Sequence, residues 1–281
     1  MFGVIAVLLS GAVPIAWMLQ PVSSAGPCVV VKGPAMLPEI PETSGLATSR
    51  RASGVLWSHN DSGNAAVLFA LDATGTVHGR VRVPVLTLDW EDISAAACPA
   101  GDCLYIADIG DNALIRPQIF IYRVAEPGPT EAEAAPVEVF TARYADGAHN
   151  AESLFVIGED LFIVTRDRTG VVYRARPLPS GHRELTFERV GALGLPSVTD
   201  AETARDGRFV VVRTSREAVL YKSADVIRNA FVPYFRIPIG GLREPQGEGV
   251  ALDGNLLYLS SEGRRWNTAG RIVTLRCELP S

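Results

Sequence analysis

Trp90-Glu91-Asp92-Ile93-Ser94, with the apolar run Leu104-Tyr105-Ile106-Ala107 a short turn later, is the stretch that decides the architecture, because it recurs. Four other segments share its outline: Thr43-Ser44-Gly45-Leu46-Ala47, Ala151-Glu152-Ser153-Leu154-Phe155, Ala201-Glu202-Thr203-Ala204 and Gly247-Glu248-Gly249-Val250-Ala251. Aligned on Ser44, Glu91, Glu152, Glu202 and Glu248, they stand 47, 61, 50 and 46 residues apart. The longest interval contains the Pro/Ala/Glu-rich residues 126–136, which read as a loop. Each marker is followed by a second apolar strand, at residues 55–58, 104–107, 161–164, 209–212 and 256–259. A polar loop and a third strand come next, then in most units a more polar fourth, such as residues 77–83 and 185–190. Four short strands per repeated unit predict an all-β fold, a β-propeller of five four-stranded blades. A sixth blade is left open only if the 61-residue interval hides a degenerate unit.

The composition agrees with this class. The chain has 281 residues, 47% hydrophobic and 20% charged, and its 26 glycines and 19 prolines suit many short strands better than long helices. A net charge of −5 argues against a nucleic-acid surface, which needs a basic excess.

No charged side chain precedes Lys32. Residues 2–19 form an apolar run, and Ser23 and Ala25 are small residues placed for cleavage after Ala25. Residues 1–25 are therefore expected to be a signal peptide, and residues 28–281 a single propeller domain, secreted or periplasmic. The alternative is an uncleaved anchor, the one case in which a membrane would be a partner.

The mature chain keeps Cys28, Cys98, Cys103 and Cys277, an even count that in an exported protein suggests two disulfides, with three pairings possible. Cys98-Pro99-Ala100-Gly101-Asp102-Cys103 looks like a turn pinned across its ends, which leaves Cys28 and Cys277. The last unit lacks a fourth strand, and Cys28-Val29-Val30-Val31 belongs to no unit of its own. The N-terminal strand is thus expected to complete the last blade, with the second disulfide locking the ring.

The aligned markers fall at the start of each innermost strand, facing the central channel. Four glutamates and a serine at close range repel unless protonated or neutralised by a cation. An all-oxygen set of Ser44, Glu91, Glu152, Glu202 and Glu248 suits Ca²⁺, with Mg²⁺ or Mn²⁺ behind it. The competing reading is that each glutamate only accepts hydrogen bonds from neighbouring strands.

This order of Ser, Glu, Glu, Glu, Glu resembles the calcium-activated nucleotidases (apyrases), five-bladed propellers with a central calcium held by such a ring. The motifs Asp89-Trp90-Glu91-Asp92-Ile93 and Asp108-Ile109-Gly110-Asp111-Asn112 are also similar to secreted bacterial propellers grouped with phytase-like proteins. The resemblance implies a calcium-dependent hydrolase of phosphorylated small molecules.

The loops expected on one face gather His59, Asn60 and Asp61, Asp108 to Arg116, Arg166, Arg213, and Arg264 with Trp266. His149 lies just before a pore marker. Arginines converging on an acidic protein point to an anionic small molecule or phosphoester as ligand. Arg116, Arg166, Arg213 and Arg264 are expected to clamp it, with His59, Asn60, Asn112, His149 and Trp266 beside them. Asp61, Asp108 and Asp111 are the candidates for orienting water. Both Asp-rich segments are also good turn sequences. No G-x-S-x-G, P-loop or H-E-x-x-H occurs, so covalent serine hydrolysis is not expected. The alternative function is a non-catalytic module binding an anionic ligand or cell-envelope partner, and a monomer is expected in either case.

Overall fold

The computed structural model describes residues 26–176, 183–263 and 269–280. The expected leader, Arg264 and Trp266 lie outside the described residues. Within them the regular structure is almost all strand. One short helix, Ser223–Val226, and a 3₁₀ turn, Gly240–Leu242, interrupt it.

β1 (Cys28–Leu37) is followed by β2 (Thr43–Thr48), β3 (Leu56–Asn60), β4 (Val67–Leu71) and β5 (Val77–Arg82), which form one antiparallel sheet in chain order. β6 (Trp90–Cys98), β7 (Gly101–Asp108), β8 (Ile119–Ala125) and β9 (Val137–Tyr144) pair the same way. So do β10 (Ala151–Ile157), β11 (Asp160–Thr165), β12 (Val171–Ala175) and β13 (Glu184–Ala192). β14 (Val198–Thr203), β15 (Phe209–Thr214), β16 (Glu217–Lys222) and β17 (Phe235–Pro238) make a further sheet. β18 (Gln246–Asp253), β19 (Leu256–Glu262) and β20 (Gly270–Cys277) make the last, and β1 adds to β20 as its fourth strand.

Cys28 pairs with Cys277 in the β1–β20 register, and the two form a disulfide; Cys98 and Cys103 form the other. The N-terminal strand therefore completes the last sheet, as the missing fourth strand predicts. The repeat predicts separate four-stranded units, and here the structure differs. β9 and β13 pair in parallel, Thr141 opposite Glu184 through Tyr144 opposite Phe187, so β6 to β13 form one eight-stranded sheet. Both are outermost strands with a free edge, and their Phe140, Tyr144, Leu185 and Phe187 share one apolar cluster.

The first strands lie side by side in succession: β2 on β6, β6 on β10, β10 on β14, β14 on β18, and β18 back on β2. Five apolar clusters occur among the described residues, each joining consecutive runs of strands. The closing one sets Leu46, Leu56 and Phe69 against Ala251, Tyr258 and Ile272. The result is an all-β, propeller-like fold. No helix among the described residues is long and apolar enough to cross a membrane.

The two disulfides close loops of very different length, with sequence separations of 249 and 5. Loop-closure entropy assigns about 5 kcal/mol to the long loop and about 2 kcal/mol to the short one. The double variant Cys28→Ser, Cys277→Ser should therefore lose more stability in urea unfolding than Cys98→Ser, Cys103→Ser. Equal losses would show that ring closure does not depend on the terminal crosslink.

Candidate functional site

Each first strand carries a register shift near its start: between Thr43 and Leu46, Trp90 and Asp92, Ala151 and Ser153, Val198 and Asp200, and Gly247 and Val250. A bulge of this kind re-aims a side chain. The residues at the shift are Ser44, Glu91, Glu152, Thr199 and Glu248. The expected marker of the fourth unit, Glu202, is thus three residues out of register. Thr199 stands in its place and does what Ser44 does: its Oγ1 donates to the Glu248 carbonyl at 3.1 Å, and Ser44 Oγ donates to the Glu91 carbonyl at 2.6 Å. The sequence signal for this was the Asp that follows the marker in both Glu91-Asp92 and Thr199-Asp200.

Glu202 lies deeper and is wholly buried. Its carboxyl accepts from Ser94 Oγ at 2.7 Å and from the Ala95 N–H at 3.3 Å. Burial pushes its pKa well above the usual range. Beside it lie Asp92 and Asp200, both wholly buried, and Asp200 Oδ1 has no hydrogen-bond partner among the described residues. Burial raises both, Asp200 to about 7. Asp200 Oδ2 accepts from the N–H groups of Leu46 (3.2 Å) and Val250 (2.5 Å), and Asp92 Oδ2 from that of Leu154 (2.6 Å).

Above these acids the bulge residues open into a cavity of ≈ 580 Å³. Ser44, Glu91, Glu152 and Glu248 line it, joined by Glu42, Asp61, Asp89, Glu262 and the amide side chains of Asn112 and Gln246. Among the described residues Arg166 is the only cation in the lining, against seven carboxylates, and it is ion-paired with Glu152. One carboxylate oxygen each from Asp61, Asp89 and Glu91 lies within 4.8 Å of the other two. Glu91 is 6% exposed, and its carboxylate accepts no hydrogen bond among the described residues. Gln246 Nε2 donates to Glu248 Oε1 at 2.8 Å.

This crowding raises the acids. Burial, then the charges of Glu152, Asp61 and Asp89, lift Glu91 well above the ordinary carboxylate range. Burial outweighs the Arg166 guanidinium and holds Glu152 at about 7; burial and then Glu248 hold Glu262 at about 8. Asp61, Asp89 and Glu248 are also raised, chiefly by burial. Such a set can keep its protons or take up a cation. Every donor in the lining is oxygen or amide, with no Cys or His, which fits a hard divalent ion.

Of the three expected water-orienting acids, only Asp61 lines the cavity. Asp108 is buried and accepts from the Leu88 and Asp89 N–H groups and from Arg116; Asp111 accepts from the Ile115 and Arg116 N–H groups. Both fasten the loop after β7, as their turn chemistry allows. Of the described arginines expected to clamp an anion, Arg166 lines the cavity and Arg116 and Arg213 do not. Arg213 is wholly buried and donates to the Gly249 and Ser260 carbonyls and to Glu244. Arg116 is spent on Asp108 and the Gly110 carbonyl. His59 is buried beside Trp90, with its pKa lowered to about 4 by burial. Asn60 caps loop backbone through Glu42 N and the Glu39 carbonyl. His149 bonds Asp146 and Tyr173, away from the lining. Asn112 lines the cavity. The sequence reading did not name Glu42, Asp89 or Glu262 as site acids; Asp89 and Glu262 stand beside the Trp90 motif and the segment after residue 262, while Glu42 is a lone acid in the loop before β2.

No family model and no curated protein matches the chain. Among solved structures it is similar to a gluconolactonase of Xanthomonas campestris, at 13% identity and a TM-score of 0.47, over 91% of this chain and 99% of that one. It is also similar to a chain of the mitotic checkpoint complex, at 11% identity and a TM-score of 0.37, over 92% of this chain and 67% of that one.

The raised carboxyls fix a pH dependence for the metal-free protein. Unfolded glutamates lose their protons near pH 4.3, at roughly the model value. Folded Glu152 and Glu262 keep theirs until about 7 and about 8. Between these values the folded state binds more protons, so stability present at low pH is lost as pH rises through the folded pKa values. Thermal unfolding in chelator should therefore give a lower Tm at pH 8.5 than at pH 5.5, with a shallower slope in Glu262→Gln. A Tm that rises over this interval would show that the cavity acids are not raised.

Proposed function

We propose that this chain is an exported five-bladed propeller that holds a divalent cation, calcium first, at the mouth of its channel, and that it hydrolyses phosphorylated small molecules there. The five-blade count is supported by the five bulged first strands and the five clusters that join successive runs. Fusion of β9 with β13 then links two blades at their outer rims. Export is supported by the two disulfides, which are compatible with an oxidising compartment.

The observation that carries the cation is the Glu91 carboxylate, nearly wholly buried, without a hydrogen bond, and facing other acids. An unpaired buried charge is costly unless it is neutralised or coordinates a metal. Glu91, Asp89, Glu152 and Glu248 would hold the ion, and Ser44 and Thr199 brace the Glu91 and Glu248 backbones. Glu202 belongs to the hydrogen-bonded layer beneath and is not a ligand in this reading. A bound calcium would supply the positive charge that lets an anionic phosphoester approach seven carboxylates. In this reading Arg116, Arg166 and Arg213 do not form the anion clamp. Asp61, half-buried and raised by burial, is suited to accept a proton from water at the cavity mouth. Arg166 holds the Glu152 carboxylate in place. This keeps the hydrolase implied by the nucleotidase resemblance while shifting anion recognition from arginine to metal.

Thermal unfolding after chelation, with Ca²⁺, Mg²⁺ or Mn²⁺ restored, tests the site. Calcium at a hundredfold excess over Kd should stabilise by about 2.7 kcal/mol, a rise of about 5 °C or more. Glu91→Gln and Glu248→Gln should abolish that rise, whereas Glu202→Gln should keep it. A response lost in Glu202→Gln as well as in the other two would restore the ring that includes Glu202.

Phosphate release from a nucleoside diphosphate and from an aryl phosphate tests the chemistry. Asp61→Asn should cut turnover by roughly a hundredfold or more while keeping the calcium-induced Tm rise. Calcium binding without turnover on either substrate would leave a cation-binding module in place of an enzyme.

A further inference from the structure

Arg213 is a wholly buried cation that does not line the acidic cavity, yet it holds the strand that carries Glu248. It stands in β15 opposite Asp200, the residue after the fourth bulge. The same register position is Ala107 in β7, opposite Asp92, and Val164 in β11, opposite Ser153. Neutral, apolar side chains therefore suffice there for the strand frame. Burying a guanidinium costs free energy even when it is paired. The frame alone does not account for Arg213.

Its two terminal nitrogens are spent on the next run of strands. In β18 the register jumps from Gly247 opposite Ser261 to Val250 opposite Leu259, which sets Glu248 and Gly249 against Ser260 alone. A bulge disrupts the ladder at such a point. Arg213 Nη1 donates there to the Gly249 carbonyl at 2.6 Å and to the Ser260 carbonyl at 2.9 Å. Nη2 donates to Glu244 Oε2 at 2.5 Å and forms an ion pair with it. Gly247 makes the room, since a Cβ there would lie 1.9 Å from Nη2. One guanidinium thus grips both ends of residues 244–249. That segment supplies Gln246 and Glu248 to the cavity, bonded to each other at 2.8 Å.

We propose that Arg213 is the positioning residue of the cation site, and that its fork, by fixing the reach of Glu248, sets a preference for calcium over magnesium. This rests on the cation reading above. Magnesium demands a near-octahedral shell at about 2.0–2.1 Å, whereas calcium accepts oxygens at about 2.3–2.6 Å in looser geometry. Carboxylates pinned to a rigid backbone cannot all close on the smaller ion; a loosened segment lets Glu248 do so. Lysine keeps the charge of Arg213 but lacks the planar fork that reaches two strands and a loop at once.

Calorimetric titration of the chelator-stripped full chain with Ca²⁺, and separately with Mg²⁺, tests this beside the Tm in chelator. The wild type should bind calcium more tightly than magnesium. Arg213→Lys should weaken calcium by about tenfold or more, as loss of a group that orients a metal ligand does. Magnesium should weaken less, so that the ratio of the two affinities falls by about threefold or more. Glu244→Gln removes the charge from one grip and keeps an acceptor for the buried guanidinium. It should lower the ratio in the same direction, which keeps the test open if Arg213→Lys does not fold. An arginine that serves only the fold would lower the Tm in chelator and leave the calcium Kd and the ratio at their wild-type values. That result overturns the proposal and leaves the cation site standing. A wild-type chain that binds no calcium overturns the site and the proposal together.

Discussion

The first strand of each run meets its neighbours around a closed channel, where its inward N–H groups have no further strand to pair with. A buried N–H without an acceptor is among the more expensive defects a fold can carry. Three carboxyls meet that constraint. Asp200 takes the N–H groups of Leu46 and Val250, Asp92 that of Leu154, and Glu202 that of Ala95, each from a different run of strands. These bonds stitch β2, β6, β10, β14 and β18 into one hub. They also explain why acids accumulate at the centre of a protein that otherwise packs Val, Leu, Ile and Phe.

The same constraint separates two kinds of buried acid. In the lower layer every carboxyl has main-chain or hydroxyl donors. In the upper layer the bulges turn Glu91, Glu152 and Glu248 away from backbone and towards the cavity. There Glu152 finds Arg166 and Glu248 finds Gln246, while Glu91 finds nothing. Repulsion among the upper acids is therefore relieved only by protons or by something that enters. That difference, more than the number of acids, sets the cavity apart from the structural core beneath it.

The repeat was legible because its information is redundant. Each unit states the same apolar sequence of strands, so a single degenerate marker does not hide the frame, and the orphan strand at Cys28 completes the arithmetic. The register of one marker was not redundant. Ala201-Glu202 imitates Ala151-Glu152, and only the bulge, which depends on pairing with Arg213 and Thr214, shows that Thr199 holds the position. The arginines misled for a related reason. Arg213 lies beside polar loop residues in sequence, yet Gly247 leaves the space its guanidinium occupies between strands, where it donates to the Gly249 carbonyl. The parallel meeting of β9 and β13 carries no local sequence signal, because it depends on how two outer edges lie after the ring has closed.

The loop after β7 is fastened at two points beside the acidic cavity. Asp108 pegs its start through Leu88, Asp89 and Arg116, and Asp111 pegs its middle through Ile115 and Arg116. Gly110 between them has no side chain because the Glu91 and Asp89 carboxylates occupy the space a Cβ would need. Any shift that neutralises those acids, by proton or cation, changes the electrostatic pressure on the backbone at Gly110. Four residues later the same backbone holds Leu114 at φ 55°. The two aspartates that look catalytic in the sequence are the fasteners that keep that loop rigid.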